Sequence, residues 1–247
     1  MTGKGKVREV NEDSLIVGSR LIGCGEMLEP KICQIADVPF LAVADGVGGG
    51  PGGKEASFGA LEAILENISL LNCEDPEPVL DKAVEKLIEI SALKPELSGL
   101  ATTLAALYIN LPLNCFMAFG CGDSRVYRQN GPFLQQITKD HSLVREMADS
   151  GLITEEEMLT HPMRNVITSS ISGRNEKKTR YSSFSQSLKE KERFFLCTDG
   201  VWEYLDIKNL ERCLQTKDIF SAAKEIADLI MSSPATDNFT FIVTDIG

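Results

Sequence analysis

The chain has 247 residues, 43% of them hydrophobic and 25% charged, with a formal net charge of −11. That balance is ordinary for a globular protein able to bury a sizeable core, and it argues against a nucleic-acid partner, which requires a basic footprint. No apolar run approaches the roughly 18–20 residues that span a bilayer, and MTGKGKVREVNEDS at the N-terminus lacks the apolar core of a signal peptide, so a membrane partner is not expected either.

In chain order, DSLIVGSRLIGCGE (13–26) reads as a strand with a turn, and ICQIADVPFLAVAD as a strand region that delivers Asp45 to a glycine-rich loop. KEASFGALEAILENI places Ala56, Ala60, Ala63 and Ile64 at helical spacing. DPEPVLDKAVEKLIEIS is a second amphipathic helix, with Asp75 as its cap and Leu80, Val84, Leu87 and Ile88 on one face. After Gly99, ATTLAALYI, NCFMAFGCGDSRVYRQ and PFLQQIT read as consecutive strands of a β-meander. Residues 142–180 are polar and irregular with short helical pieces. RFFLCTDG is a strand ending in Asp199, IFSAAKEIADLIMS a helix, and NFTFIVTDI a closing strand. Helices in pairs and strands in runs predict a layered α+β fold with antiparallel sheets. There is no long linker or low-complexity tract, so one domain over 1–247 is expected. The seven cysteines form no CxxC pair and several lie in apolar runs, which predicts reduced thiols in a cytoplasmic protein.

The loop GGGPGGKE (48–55) fits G-x-x-x-x-G-K, but position 55 is Glu where a phosphate loop needs Ser or Thr, and Asp45 adds a second repelling charge. The same glycines fit a dinucleotide-binding pattern only weakly, with Asp75 better explained as a helix cap. The acids are more telling. Asp13, Asp45, Asp123, Asp199 and Asp237 stand in turns or at the ends of apolar strands, and Asp45 and Asp199 are each followed by Gly. One such Asp is usually a turn former. Several at strand ends would repel unless a cation held them. With two histidines and no cysteine pair, oxygen donors dominate, which selects Mg²⁺ or Mn²⁺ over Zn²⁺.

The ordered set VREVNEDS, VADGVGGG, GLATTL, GCGDSRVY, TKDHSLV, NVITSSISG, FFLCTDGVWE and TDNFTFIV resembles the metal-dependent protein serine/threonine phosphatases of the PPM family (type 2C), the minimal bacterial branch above all. The resemblance runs from Val7 to Val243. It implies a four-layer α-β-β-α sandwich, two antiparallel sheets flanked by helix pairs. It also implies hydrolysis of phosphoserine and phosphothreonine by water activated at a two-metal centre. Asp45 would bridge the two ions, Gly46 would offer its carbonyl, Asp199 and Asp237 would complete the first ion's shell, and Asp13 would serve the second. Arg8 would hold the substrate phosphate, Asp123 would bind a third, weaker ion, and residues 142–180 would form a flap beside the cleft. The implied partners are phosphorylated proteins and a cognate serine/threonine kinase.

The chain departs from the family in the loop after Asp45, where the extra glycines of GGGPGGKE differ from the usual Gly-Gly-His-x-x-Gly-Glu pattern. The turn after Asp45 lacks the histidine of many animal relatives, so protonation of the leaving group falls to a metal-bound water or another group. His141 is expected to give structural support, and His161 has no assigned role. Two alternatives stay open: an anti-sigma-factor-antagonist phosphatase of the same fold, and a non-catalytic member that binds phosphoproteins.

Overall fold

The computed structural model describes residues 1–35, 39–47, 52–174 and 178–246. Its first part runs through strands β1 (Thr2–Gly3), β2 (Ser14–Val17), β3 (Arg20–Gly23), β4 (Phe40–Ala44) and β5 (Gly46–Val47), then helices α1 (Gly53–Glu66) and α2 (Glu77–Leu93). Strands β6 (Ala101–Thr102), β7 (Leu104–Asn110), β8 (Cys115–Cys121), β9 (Arg125–Asn130) and β10 (Phe133–Gln136) follow. Helices α3 (Leu143–Asp149) and α4 (Glu155–Thr160) precede β11 (Ile171–Ser172), β12 (Ser182–Ser187) and β13 (Glu192–Cys197). Helices α5 (Asp199–Trp202), α6 (Ile207–Leu214) and α7 (Ile219–Ser232) lead to β14 (Phe239–Ile246).

Two antiparallel sheets carry the architecture, one ordered β12-β8-β7-β4-β2-β3 and the other β1-β14-β13-β9-β10, beside a small sheet β11-β6-β5. Their side chains alternate between two apolar layers, as a period of two requires. In β4, Phe40, Ala42 and Ala44 face α1 and α2, meeting Ala56, Ala60, Leu61 and Ile64 of the first helix and Val79, Leu80, Ala83 and Leu87 of the second. Leu41 and Val43 face the opposite way and pack with Phe194 and Leu196 of β13 and Ile242 of β14. On the far side of the second sheet, Phe195, Cys197 and Phe241 meet Leu210 and Leu214 of α6 and Ile226 and Ile230 of α7. Three apolar layers therefore separate four structural ones, and the α-β-β-α sandwich is present.

Several local readings need correction. The face of α2 that is buried centres on Val79, Leu80, Ala83 and Leu87, with Val84 and Ile88 at its edge. The N-cap of α2 is Pro76 rather than Asp75, which stands one residue earlier and accepts the Glu77 N–H on Oδ1 at 2.9 Å. Strand β4 is shorter than the apolar run suggests, beginning at Phe40; residues 36–38 of that run lie outside the described residues. The meander is two hairpins in different sheets. Strands β7 and β8 pair in the first sheet and β9 and β10 in the second, because the chain crosses over at Gly122, where φ is +91°. That conformation favours glycine, and an added Cβ would also fall 2.7 Å from Thr103 Cγ2. Strand β12 lies outside the strands the sequence predicts, since SSFSQS has little strand character of its own and is held by pairing to β8. The cysteines are not all thiols either: Cys73 and Cys115 form a disulfide joining the loop before α2 to the start of β8. Cys121, Cys197 and Cys213 are free and buried, while Cys33 is exposed. No described helix is long and apolar enough to cross a membrane.

Candidate active site

Sheet register explains why acids scattered over 225 residues of sequence meet at one end of the sandwich. Ser14 of β2 pairs with Ala44 of β4, which sets Asp13 beside Asp45. In the other sheet Cys197 of β13 pairs with both Phe241 of β14 and Arg125 of β9. Continuing those ladders past the strand ends brings Asp199 opposite Asp123 and close to the segment that carries Asp237.

The convergence depends on close backbone approach at two glycines. A Cβ on Gly46 would lie 2.3 Å from the backbone of Gly53 at the start of α1, and one on Gly200 would lie 1.8 Å from the Asn238 carbonyl oxygen. The Asp-Gly pairs of the sequence therefore have a packing reason as well as a turn-forming one. The loop shape of GGGPGGKE is known only from residue 52 onward, since 48–51 lie outside the described residues.

Hydrogen bonds lock the acids' backbones. Asp45 N–H donates to Thr103 Oγ1 at 3.1 Å, Thr103 N–H donates to the Asp45 carbonyl at 2.9 Å, and the Thr103 and Ser124 hydroxyls are 2.7 Å apart. The Thr198 hydroxyl donates to Asp13 Oδ2 at 2.9 Å. Trp202 Nε1 donates to the Asp123 carbonyl at 3.0 Å. Asp237 accepts the Asn238 N–H on Oδ1 and an Arg8 guanidinium N–H on Oδ2, both at 2.8 Å.

Electrostatically the centre is overloaded. Asp13 is fully buried, and burial together with the charge of Asp199 pushes its carboxyl up to about 7, against opposing hydrogen bonds from Thr240 and Thr198. Burial and the charges of Asp237 and Glu203 push Asp199 up to about 6. Asp45 is raised well above the usual carboxylate range by burial and by the charges of its neighbours Asp199, Asp13 and Asp123. Asp123 is raised by burial, Asp199 and Asp140. Arg8 remains exposed, with a pKa held up mainly by its bond to Asp237 and further by the charges of Asp45 and Glu12.

Several participants carry no sequence signal that singles them out. Glu203 stands next to Trp202, half-buried, its pKa raised by burial and by Asp237 against the opposing charge of Arg164, with Oε1 unpartnered among the described residues. Glu12, Thr103 and Thr198 likewise reveal themselves only through their contacts. The His141 main-chain N–H donates to the Gly122 carbonyl while its ring Nδ1 is buried with no hydrogen-bond partner among the described residues, and His161 Nδ1 accepts the Met163 N–H at 3.2 Å.

Among the described residues no three Asp, Glu, His or Cys side chains form a ready-made cation cage. The donor set nonetheless fits a hard divalent cation. Among the described residues Asp13 Oδ1 and Asp199 Oδ1 are buried without hydrogen-bond partners, and Asp45 lies close enough to both for its carboxyl to be raised by their charges, so a cation there would neutralise all three.

A sequence model of protein phosphatase 2C matches residues 29–230. The serine/threonine protein phosphatase PstP of Mycobacterium tuberculosis is 30% identical over 98% of this chain, which spans 43% of that relative's length. The serine/threonine phosphatase stp of Listeria monocytogenes is 28% identical, with 99% of this chain and 93% of that protein aligned. A solved PstP catalytic domain, in complex with two manganese ions, superposes with a TM-score of 0.78 at 25% identity, covering all of this chain and 96% of that one. Since the matched region takes in most of the sequence, including Asp45, Asp123 and Asp199, the chain belongs to the protein phosphatase 2C family.

Proposed function

We propose that this protein is a metal-dependent phosphatase that hydrolyses phosphoserine and phosphothreonine in proteins. The observation that carries the reading is the meeting of Asp13, Asp45, Asp123 and Asp199 from two sheets, their carboxyls raised by burial and mutual repulsion, beside the exposed guanidinium of Arg8. Asp45 would hold the cations together with its neighbours because it faces the carboxylates of both sheets. Asp199 and Asp237 would complete one ion's shell, Asp13 and the Gly46 carbonyl would serve the other, and Asp123 with Asp199 would take a third. When bound, Mg²⁺ or Mn²⁺ would supply Lewis-acid chemistry: activation of water and neutralisation of the charge building on the phosphoryl oxygens.

The chain's own residues do the rest. Arg8 spends one donor on Asp237 and presents the remainder of its fork to solvent at the cleft, a geometry suited to two oxygens of a phosphate monoester. Thr198 and Thr103 hold Asp13 and Asp45 in place, so little reorganisation is needed when charge develops. Among the described residues neither histidine hydrogen-bonds to the carboxylate cluster; in this reading His141 would give structural support, and protonation of the leaving group would fall to a group other than the histidines. The same reading takes 1–247 as one catalytic domain with 142–180 as its flap, of which 175–177 lie outside the described residues. A cytoplasmic setting and a kinase acting on the same substrates belong to the proposal too.

A non-catalytic role is disfavoured because every carboxylate of the implied set is present. The test is release of inorganic phosphate from phosphoserine and phosphothreonine peptides with Mn²⁺, with chelator, and after Mn²⁺ is restored.

A further inference from the structure

Trp202 is the sole tryptophan of the chain, and it joins two of the site's carboxylate-bearing segments. It closes α5, the four-residue helix that Asp199 opens. Its Nε1–H donates to the main-chain carbonyl of Asp123 at 3.0 Å. The guanidinium of Arg125, two residues beyond Asp123, lies 3.7 Å from the centre of the Trp202 ring. That guanidinium is itself fixed: Nε and Nη2 donate to both oxygens of the buried Asp140, and Nη1 donates to the Tyr127 hydroxyl at 3.1 Å. Asp140 Oδ1 takes a further hydrogen bond from Gln136 Nε2 at 2.6 Å. The indole is thus bonded at its edge to the Asp123 turn and covered on its face by a cation that cannot swing away.

We propose that Trp202 is a positioning residue that sets the spacing between the Asp123 and Asp199 carboxylates, with the Arg125–Asp140 pair as its anchor. The turn at Gly122–Ser124 crosses between the two sheets; the His141 N–H holds the Gly122 carbonyl and the Thr103 hydroxyl holds that of Ser124, while Asp123 between them has no ladder partner. The indole N–H, steadied by the Arg125 stack, supplies the bond to the main chain of Asp123 itself. This inference rests on reading Asp123 and Asp199 as ligands of the weakest-held cation.

The chain's single tryptophan permits a clean test. Trp202→Phe removes the N–H and keeps an aromatic face for Arg125. Biosynthetic replacement of tryptophan by 3-benzothienylalanine removes only the N–H and keeps the bicyclic shape. Mn²⁺ binding is measured by calorimetry and by the spin-resonance signal of free Mn²⁺, with steady-state kinetics on a phosphopeptide alongside. The expected result is unchanged tight Mn²⁺ sites, a weakest site loosened about 3- to 10-fold as loss of one hydrogen bond implies, and a fall in kcat with KM retained. Wild-type Mn²⁺ affinities and kcat in the benzothienylalanine protein would overturn the assignment. In the unmodified protein, Trp202 fluorescence should be quenched in a final phase that follows the weakest Mn²⁺ and disappears in Asp123→Asn. Fluorescence indifferent to that phase would overturn it even if both altered proteins failed to fold. Absence of any Mn²⁺ binding by the unmodified protein would remove the metal reading itself, and this inference with it.

Discussion

Thr198 and Asp13 stand 185 positions apart, and the hydroxyl of the first donates to Oδ2 of the second at 2.9 Å with both residues fully buried. The bond joins the end of β13 in one sheet to the start of β2 in the other, so it fixes the two sheets' carboxylates relative to each other. Thr198 Oγ1 also accepts the Thr240 N–H at 3.0 Å.

Thr198→Val keeps the shape and removes both bonds. Orphaning a buried polar group costs about 1–3 kcal/mol, a fall in Tm of roughly 2–12 °C for a chain of this size. Thr198→Ser should recover most of it. A thermal melt of the three proteins at one pH checks this, and an unchanged Tm for the valine variant would show that the contact carries no weight.

Arg8→Ala should raise KM for a phosphopeptide clearly, with a smaller fall in kcat, because phosphate anchoring acts on ground and transition states alike. Charge-assisted hydrogen bonds are worth about 1.5–3 kcal/mol, or roughly 10- to 150-fold in kcat/KM. Arg8→Lys should lie between, since an ammonium cannot make the paired contact. Mn²⁺ affinity should not fall, because the substitution frees Asp237 from its ion pair. Wild-type kinetics in the alanine variant would remove Arg8 from the site.

Without metal, stability should depend on pH in the direction opposite to that of salt-bridged acids. Asp13 and Asp199 are raised to about 7 and about 6 in the folded state, from an ordinary value of 3.8. The folded protein therefore holds protons that the unfolded chain has released, and this contribution is fully present below about 4 and lost as pH rises toward 7. Chelator-treated protein should lose Tm between about pH 5 and pH 7.5, and Mn²⁺ should restore it most at the upper end. A chelated Tm that rose across this interval would contradict the crowding of these carboxylates.

The parts of this arrangement legible in the sequence are those written in contiguous residues. The apolar runs before Asp45 and Asp199 place each acid at a strand end, and α1 and α7 follow from helical spacing of small and apolar residues. The polar GDSR marks a turn at Asp123, but the change of sheet at Gly122 is not legible, because which sheet a strand joins is decided by distant partners. Thr198, Thr103 and Trp202 look like ordinary strand-end and core residues until their partners, tens to hundreds of positions away, are in place. Strand β12 and the Cys73–Cys115 bridge were missed for the same reason: β12 is imposed by β8, and the bridge by a loop folding back on that strand's first residue.

The most direct measurement pairs Mn²⁺ calorimetry with phosphate release for the wild-type protein and Asp45→Asn. Asp45 faces the carboxylates of both sheets, so its neutral amide should weaken two Mn²⁺ sites together and cut phosphopeptide turnover by more than about 10³-fold, as loss of several kcal/mol of charge stabilisation implies. The metal-free variant should melt no lower than wild type, since a neutral amide removes an ionisable group from the crowded cluster of Asp13, Asp123 and Asp199. Two Mn²⁺ sites of wild-type affinity in Asp45→Asn, or turnover that persists in excess chelator, would contradict the account.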